Sequence, residues 1–347
     1  MTSTHDTLTP PPTVPAAARL LDLVMGNWRA GVVSAFAELG VADALRDEKL
    51  TPASIARHLG LANSTCTRFC TAAAAVGLLD AGADGTVSLS ELGRTLLSES
   101  PGSMRNFARW CGSTADRTTW SQLHTAVRTG RSPFPAIHGT DVWEFLQTRP
   151  ADAAVFDAAM TELSRNVIGP VVGVLDLTSF SSVTDVGGGR GALLAAILKS
   201  APHLRGVLFD QADVVSLAPD VLRSAGVADR VTIIAGSFFD SVPSGSDLFV
   251  ISNVLHDWDD DRTRAILGSI SSAMSPGHQI AIVEAVAGVD DRFDEAIALM
   301  DMDMLALCEG KQRTVGEFRD LLAEFGLTLT AIDRAGLQSV VRATKTD

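Results

Sequence analysis

The densest chemical signal in this 347-residue chain is Val183-Thr-Asp-Val-Gly-Gly-Gly-Arg-Gly-Ala192, an apolar run that enters Gly187, Gly188, Gly189 and Gly191 and then a helical stretch. Glycines are needed where the backbone turns tightly and a ligand must approach without Cβ interference. Asp210 follows the next apolar run, 23 residues past Gly187, where it can accept hydrogen bonds from ribose hydroxyls. Gly187-x-Gly189-x-x-Ala192 also satisfies a loose dinucleotide fingerprint, so a nucleotide-like ligand is indicated without choosing between a nicotinamide cofactor and another nucleoside. Gly236-Ser237-Phe238-Phe239-Asp240 offers a flat aromatic face to a purine ring. Asn253-Val-Leu-His256-Asp257-Trp258-Asp259-Asp260-Asp261 ends a fourth run, and Glu284 stands 28 residues beyond His256, at the end of a fifth.

These segments need a scaffold, and the hydrophobic pattern supplies one. Apolar runs at 183–187, 205–209, 231–235, 247–252 and 279–285 alternate with helical stretches near 191–200, 212–225 and 260–274. Repeated βαβ of this kind makes a buried parallel sheet covered by helices, with ligands outside the carboxyl ends of the strands. A helix from about Thr314 to Glu324 and strands near 327–333 and 337–342, joined at Gly336, close the chain.

Upstream, Ala16 to about Ser100 reads as Ala-rich helix. Thr51-Pro52-Ala53-Ser54 opens one helix, Gly60 ends it, Asn63-Ser64 opens another, and Val87-Ser88-Leu89 forms a small strand: a helix-turn-helix with a wing. The helix that would enter a DNA groove carries only Arg68 as a firm cation, and Asp80, Asp84, Glu91 and Glu99 follow it, so an interaction or dimerisation module is the better reading. Residues 104–170 are helical again, with Trp110, Trp120, Trp143, Phe145, Phe156 and Met160 as either core or substrate wall.

Composition narrows the chemistry. With 28 basic against 41 acidic residues the formal charge is -13, a poor surface for collecting phosphates. No tyrosine is present, so no phenolic acid, base or nucleophile can operate. Cys66, Cys70, Cys111 and Cys308 form neither a disulfide framework nor a CxxC pair, and no metal site is assigned. Met1–Pro15 reads as a loose Thr- and Pro-rich tail without the features of a signal peptide, and Ile266–Val283 is broken by Pro276-Gly277. The expectation is a soluble, cytoplasmic protein that binds neither nucleic acid nor membrane.

DVGGGRG at 185–191, FD at 209–210, GSFF at 236–239 and NVLHDWDDDR at 253–262, in this order and spacing, resemble the plant and bacterial small-molecule O-methyltransferases that use S-adenosylmethionine. HGTDVWEFL at 138–146, FDAAM at 156–160 and GKQRT at 310–314 extend the resemblance over nearly the whole chain. It implies an α/β fold: a Rossmann-like seven-stranded sheet with a winged-helix N-terminal dimerisation domain, in a homodimer. The corresponding regions are a tail at 1–15, the dimerisation domain at 16–103, a helical linker or substrate wall at 104–170, and the catalytic domain at 171–347. By resemblance, Gly187 and Gly189 line the methionyl end of the cofactor, Asp210 its ribose, Phe238 its adenine and Ser252 its edge. His256 falls at the family's general base and Glu284 at the acid that steadies it. Asp257, Met160 and Met304 fall at substrate positions. Ser237 replaces a usual Asp beside the adenine, and Gln312 replaces a second glutamate beside the histidine, so it can accept a hydrogen bond but brings no charge.

Phenol titrates near 10 and imidazole near 6.5, so full prior deprotonation by histidine is uphill by roughly 5 kcal/mol. Proton removal concerted with methyl transfer lowers that cost, and an acidic hydroxyl on an aromatic polyketide or quinone suits a base with one carboxylate partner. Methyl transfer to a hydroxylated aromatic small molecule is therefore the leading expectation. The alternatives are N-methylation or a non-methylating hydroxylation or decarboxylation on the same scaffold, a nicotinamide-dependent dehydrogenase, and a ligand-sensing regulator.

Overall fold

A computed structural model describes residues 14–346. The tail expected over 1–15 lies outside the described residues except for Val14 and Pro15, and Pro15 precedes the first helix. The chain divides into two compact units, up to Gly112 and from Ser113 onward. The helical region expected over 104–170 is thus shared between them: helix Arg105–Trp110 packs on the first helix, Ala16–Glu38, while Thr114–Trp120 and the later helices belong to the second unit.

In the first unit, Thr51 caps helix Pro52–Leu59 by accepting the Ser54 N–H at 3.2 Å, and Gly60 ends it at φ +67, the left-handed conformation that glycine adopts without Cβ penalty. Helix Asn63–Ala75 follows, and Leu79–Ala81 (β1) pairs antiparallel with Val87–Leu89 (β2). Sequence reading found β2 but missed its partner, which carries two exposed residues in three. Phe36, Leu45, Ile55 and Leu78 are fully buried at the centre of this unit. Leu20, Leu21, Leu23, Val24 and Trp28 on helix Ala16–Glu38 remain 59–72% exposed, an apolar surface of the kind that marks an interface.

The second unit holds a seven-stranded sheet. Its strands are Ser182–Val186 (β3), Arg205–Asp210 (β4), Val231–Ala235 (β5), Leu248–Ser252 (β6), Gln279–Glu284 (β7), Leu327–Ala335 (β8) and Gln338–Lys345 (β9), in the order β5-β4-β3-β6-β7-β9-β8. β3 to β7 pair in parallel, and the β8–β9 hairpin runs antiparallel against β7. The expected α/β sheet and closing hairpin are both present. Phe249, Val250, Ile251, Ile280, Ile282 and Val283 are entirely buried, and each such side chain stabilises the fold by roughly 1.5–3 kcal/mol. The strand order reverses at β3: the chain steps outward to β4 and β5, then crosses back to β6. A crevice opens at such a reversal, on the carboxyl ends of the strands. Gly187, Asp210, the His256 segment and Glu284 all follow or end the strands that meet there.

Candidate active site

The glycine turn is a backbone device. Gly187 and Gly189 adopt φ +67 and +59, and a Cβ on Gly187 would come within 3.0 Å of Val254 and 3.5 Å of Phe238. Gly188 lies so close over Asp185 and Leu208 that a Cβ would meet each at 2.6 Å. Asp210 Oδ2 accepts the Gly189 N–H at 2.8 Å and Oδ1 the Gln211 N–H at 2.7 Å, so the carboxylate braces the turn and keeps lone pairs for a ligand. Burial pushes Asp185 up to about 7, with Asp210 adding to the effect, and both oxygens of Asp185 are buried without a hydrogen-bond partner. Burial also raises Asp210, against the two backbone donors. Asp210, half-buried beside this turn and held in no ion pair among the described residues, fits a nucleoside ligand such as S-adenosylmethionine, from whose ribose hydroxyls it can accept hydrogen bonds.

Phe238 packs edge-on to Phe239 with ring centroids 4.9 Å apart, beside the glycine turn. Ser237 Oγ accepts the Phe239 N–H at 3.2 Å, which orders the Phe238–Phe239 turn. Ser252, at the end of β6, is half-buried and its Oγ accepts from Asn253 Nδ2 at 3.3 Å.

Glu284 organises the other side. Its Oε1 accepts the backbone N–H groups of Leu255 at 2.9 Å, Val254 at 3.2 Å and His256 at 3.4 Å, and its Oε2 lies 3.2 Å from His256 Nδ1. One carboxylate at the end of β7 therefore fixes the loop that carries the histidine and sets its second oxygen, which has no hydrogen-bond partner among the described residues, beside the imidazole, where it would pair with a protonated ring. Gln312 stands on the same ring nitrogen, its amide nitrogen 3.0 Å from Nδ1 and its Oε1 buried without a partner. Turning that amide over brings its oxygen to Nδ1, where it accepts the proton that Glu284 also favours on that atom. With Nδ1 protonated, Nε2 is bare. Nε2 is 3.6 Å from Asp257 Oδ1, and the imidazole is 11% exposed. Burial, the largest influence, pushes His256 down; Glu284, Asp257 and the Gln312 hydrogen bond outweigh it together, so the imidazole stays above its ordinary value, with Arg313 opposing.

Sequence reasoning missed two supports. Arg313 is fully buried and donates to the carbonyls of Leu255 at 2.8 Å and Trp258 at 2.9 Å, bracketing His256 and Asp257, while its ion pair with Asp260 compensates the buried charge. Gly310 passes so near that a Cβ would sit 1.9 Å from the His256 carbonyl oxygen. Both lie in GKQRT, where a cation flanked by the histidine-facing glutamine was the available signal. Met160 and Met304 are half-buried on helices Pro150–Val174 and Asp294–Cys308. Trp143 stacks on Trp258 at 5.7 Å in the wall of a cleft also lined by Arg262 and Cys308.

The O-methyltransferase domain model matches residues 120–328, and the O-methyltransferase dimerisation domain model matches residues 21–99. The chain belongs to the O-methyltransferase family. Members of this family use S-adenosylmethionine, and the glycine turn and its carboxylates fit that cofactor. The mitomycin biosynthesis 6-O-methyltransferase of Streptomyces lavendulae is 33% identical over 307 residues, covering 88% of this chain and 87% of that protein. The crystal structure of LaPhzM superposes with a TM-score of 0.90 at 33% identity, covering 96% of this chain and all of the other. The O-methyltransferase from neocarzinostatin biosynthesis, solved with S-adenosylmethionine and 2-hydroxy-5-methyl naphthoic acid, gives a TM-score of 0.81 at 30% identity, covering 96% of this chain and all of that one. The exposed apolar face of helix Ala16–Glu38 begins the O-methyltransferase dimerisation domain, which supports a homodimer. Among the described residues no helix is long and apolar enough to cross a membrane.

Proposed function

We propose that this O-methyltransferase methylates a hydroxyl of an aromatic small molecule of bacterial secondary metabolism, with His256 as general base and Glu284 as the residue that orients it. The carrying observation is the imidazole with Glu284 Oε2 3.2 Å and Gln312 3.0 Å from its Nδ1, on a loop whose Val254 adjoins the glycine turn braced by Asp210. The names of relatives agree with an aromatic acceptor: one is a 3-amino-4-hydroxybenzoate 4-O-methyltransferase.

S-adenosylmethionine, when bound, supplies a methyl group made electrophilic by its sulfonium. Gly187, Gly189 and Asp210 hold its methionyl and ribose parts, and Phe238, Ser237 and Ser252 its adenine side. His256 Nε2 takes the hydroxyl proton as the oxygen attacks, and Glu284 stabilises the imidazolium that forms. Asp257, Met160, Met304 and Gln312 border the acceptor. None of the four cysteines is in a disulfide, which suits a reducing cytoplasm.

The test is mass spectrometry of products from a panel of hydroxyaromatics with deuterium-labelled methyl donor, followed by the pH dependence of kcat. Transfer of the labelled methyl to oxygen is expected. The rate should rise with pH through a value above that of free histidine, because only the neutral imidazole accepts a proton and its titration is shifted upward. Oxidised or decarboxylated product without label would reject the reading.

A further inference from the structure

His256 is carried by a single 3₁₀ turn, Leu255–Asp257, which its own backbone closes with two long hydrogen bonds: Asp257 N–H to the Val254 carbonyl at 3.2 Å and Trp258 N–H to the Leu255 carbonyl at 3.3 Å. The chain enters this turn through Asn253 at φ +52, in the left-handed region that a non-glycine residue adopts at a cost. So short a helix leaves most of its N–H and C=O groups unpaired and does not hold its shape unaided. Side chains of opposite charge close its two ends. Glu284 Oε1 accepts the N–H groups of Val254, Leu255 and His256. From the carbonyl side, Arg313 Nη1 donates to Leu255 at 2.8 Å, and Nη2 donates to the Trp258 carbonyl and the Thr263 hydroxyl, each at 2.9 Å. The signs suit the partial charges of these groups, an anion on the N–H groups and a cation on the carbonyls.

Keeping a guanidinium buried is costly unless its geometry repays the lost hydration. The Arg313 side chain is 1% exposed, and the Asp260 carboxylate that pairs with it is 39% exposed and shared with Lys311. What the guanidinium supplies is a rigid planar fork that reaches two carbonyls three residues apart, which neither an apolar side chain nor the point charge of a lysine can do. We propose that Arg313 is the positioning residue that aims the His256 imidazole: with Glu284 it clamps the single turn that carries the base, so that Nε2 keeps one direction. This rests on His256 as the base and adds what holds it in line. Arg313 also brings positive charge to a ring otherwise faced by acids, namely Glu284 from β7, Asp257 on the same turn and Asp303 from helix Asp294–Cys308.

The experiment compares full-length Arg313→Lys and Arg313→Met with wild type. Both should bind S-adenosylhomocysteine within about twofold of wild type in calorimetry while kcat falls by about 10–100-fold, the cost of a misdirected base. Charge and shape then separate in the pH profile. The guanidinium disfavours the imidazolium, so its loss in Arg313→Met should move the acid limb of kcat to higher pH, whereas Arg313→Lys keeps the charge and should leave the limb in place. Millimolar guanidinium added to Arg313→Ala should restore part of the rate, and ammonium should not. A merely structural arginine would lower the melting temperature and leave kcat per cofactor-binding site and the pH profile unchanged, which overturns the proposal. So would a full rate in Arg313→Lys or a limb that moves to lower pH in Arg313→Met.

If the arginine variants bind no S-adenosylhomocysteine, Thr263→Val carries the test. It keeps the buried shape and removes one partner of the fork, so kcat should fall by about 3–10-fold with cofactor affinity retained; an unchanged kcat overturns the proposal. The ring itself is followed by the nitrogen NMR titration of His256, its signal assigned by its loss in His256→Ala. Arg313→Met should raise that titration whether or not His256 is the base, so a failure of the clamp and a failure of the base assignment are read separately.

Discussion

The two ends of the crevice are built in different ways. The cofactor end is made of backbone: Gly187 and Gly189 turn at positive φ, Phe238 packs against the turn, and Asp210 braces it through the Gly189 N–H. The acceptor end is made of side chains that converge from distant stretches. Glu284 comes from β7, and Gln312 and Arg313 come from GKQRT. A backbone site is fixed by consecutive residues and tolerates little; a convergent site can change its charge one side chain at a time. Ser237 and Gln312, where the resemblance implies acids, are changes of this kind on each side.

Substitutions at the two ends should therefore fail differently. Glu284→Gln keeps the shape of the carboxylate but removes the charge that steadies the imidazolium, so kcat should fall by about 100-fold or more while cofactor affinity holds. Its acid limb should move to lower pH, since the imidazole loses a partner that raises it. Steady-state kinetics across pH checks both; a parallel loss of cofactor affinity would erase the distinction between the ends. Gly187→Val forces a β-branched residue to φ +67 and against Val254, a strain of about 1–3 kcal/mol that should weaken cofactor binding by roughly 5–150-fold in calorimetry. Unchanged affinity would mean that the turn does not receive the cofactor. Gln312→Glu adds a charge beside Nδ1 and should shift the acid limb of kcat upward by about one unit, with little effect on cofactor affinity. A shift downward would show that Gln312 does not act on the imidazole.

The same division governs what could be read from the chain alone. The five parallel strands and the closing hairpin were legible because buried strands are short apolar runs bounded by turns, and the glycine turn was legible because its residues are consecutive. Resemblance added His256, Glu284 and Gln312, whose proximity spans 56 residues of chain. Arg313 hid in a motif read for its glutamine. β1 was missed because three residues, two of them exposed, carry no periodicity.

Everything at the acceptor end depends on the imidazole at the mouth of β6 accepting a proton. His256→Ala tests this most directly, with cofactor affinity and turnover measured on the same preparation. Binding of S-adenosylhomocysteine should stay within about twofold of wild type while turnover falls by about 100-fold or more. Methyl transfer at the wild-type rate would contradict the assignment of His256 as the base.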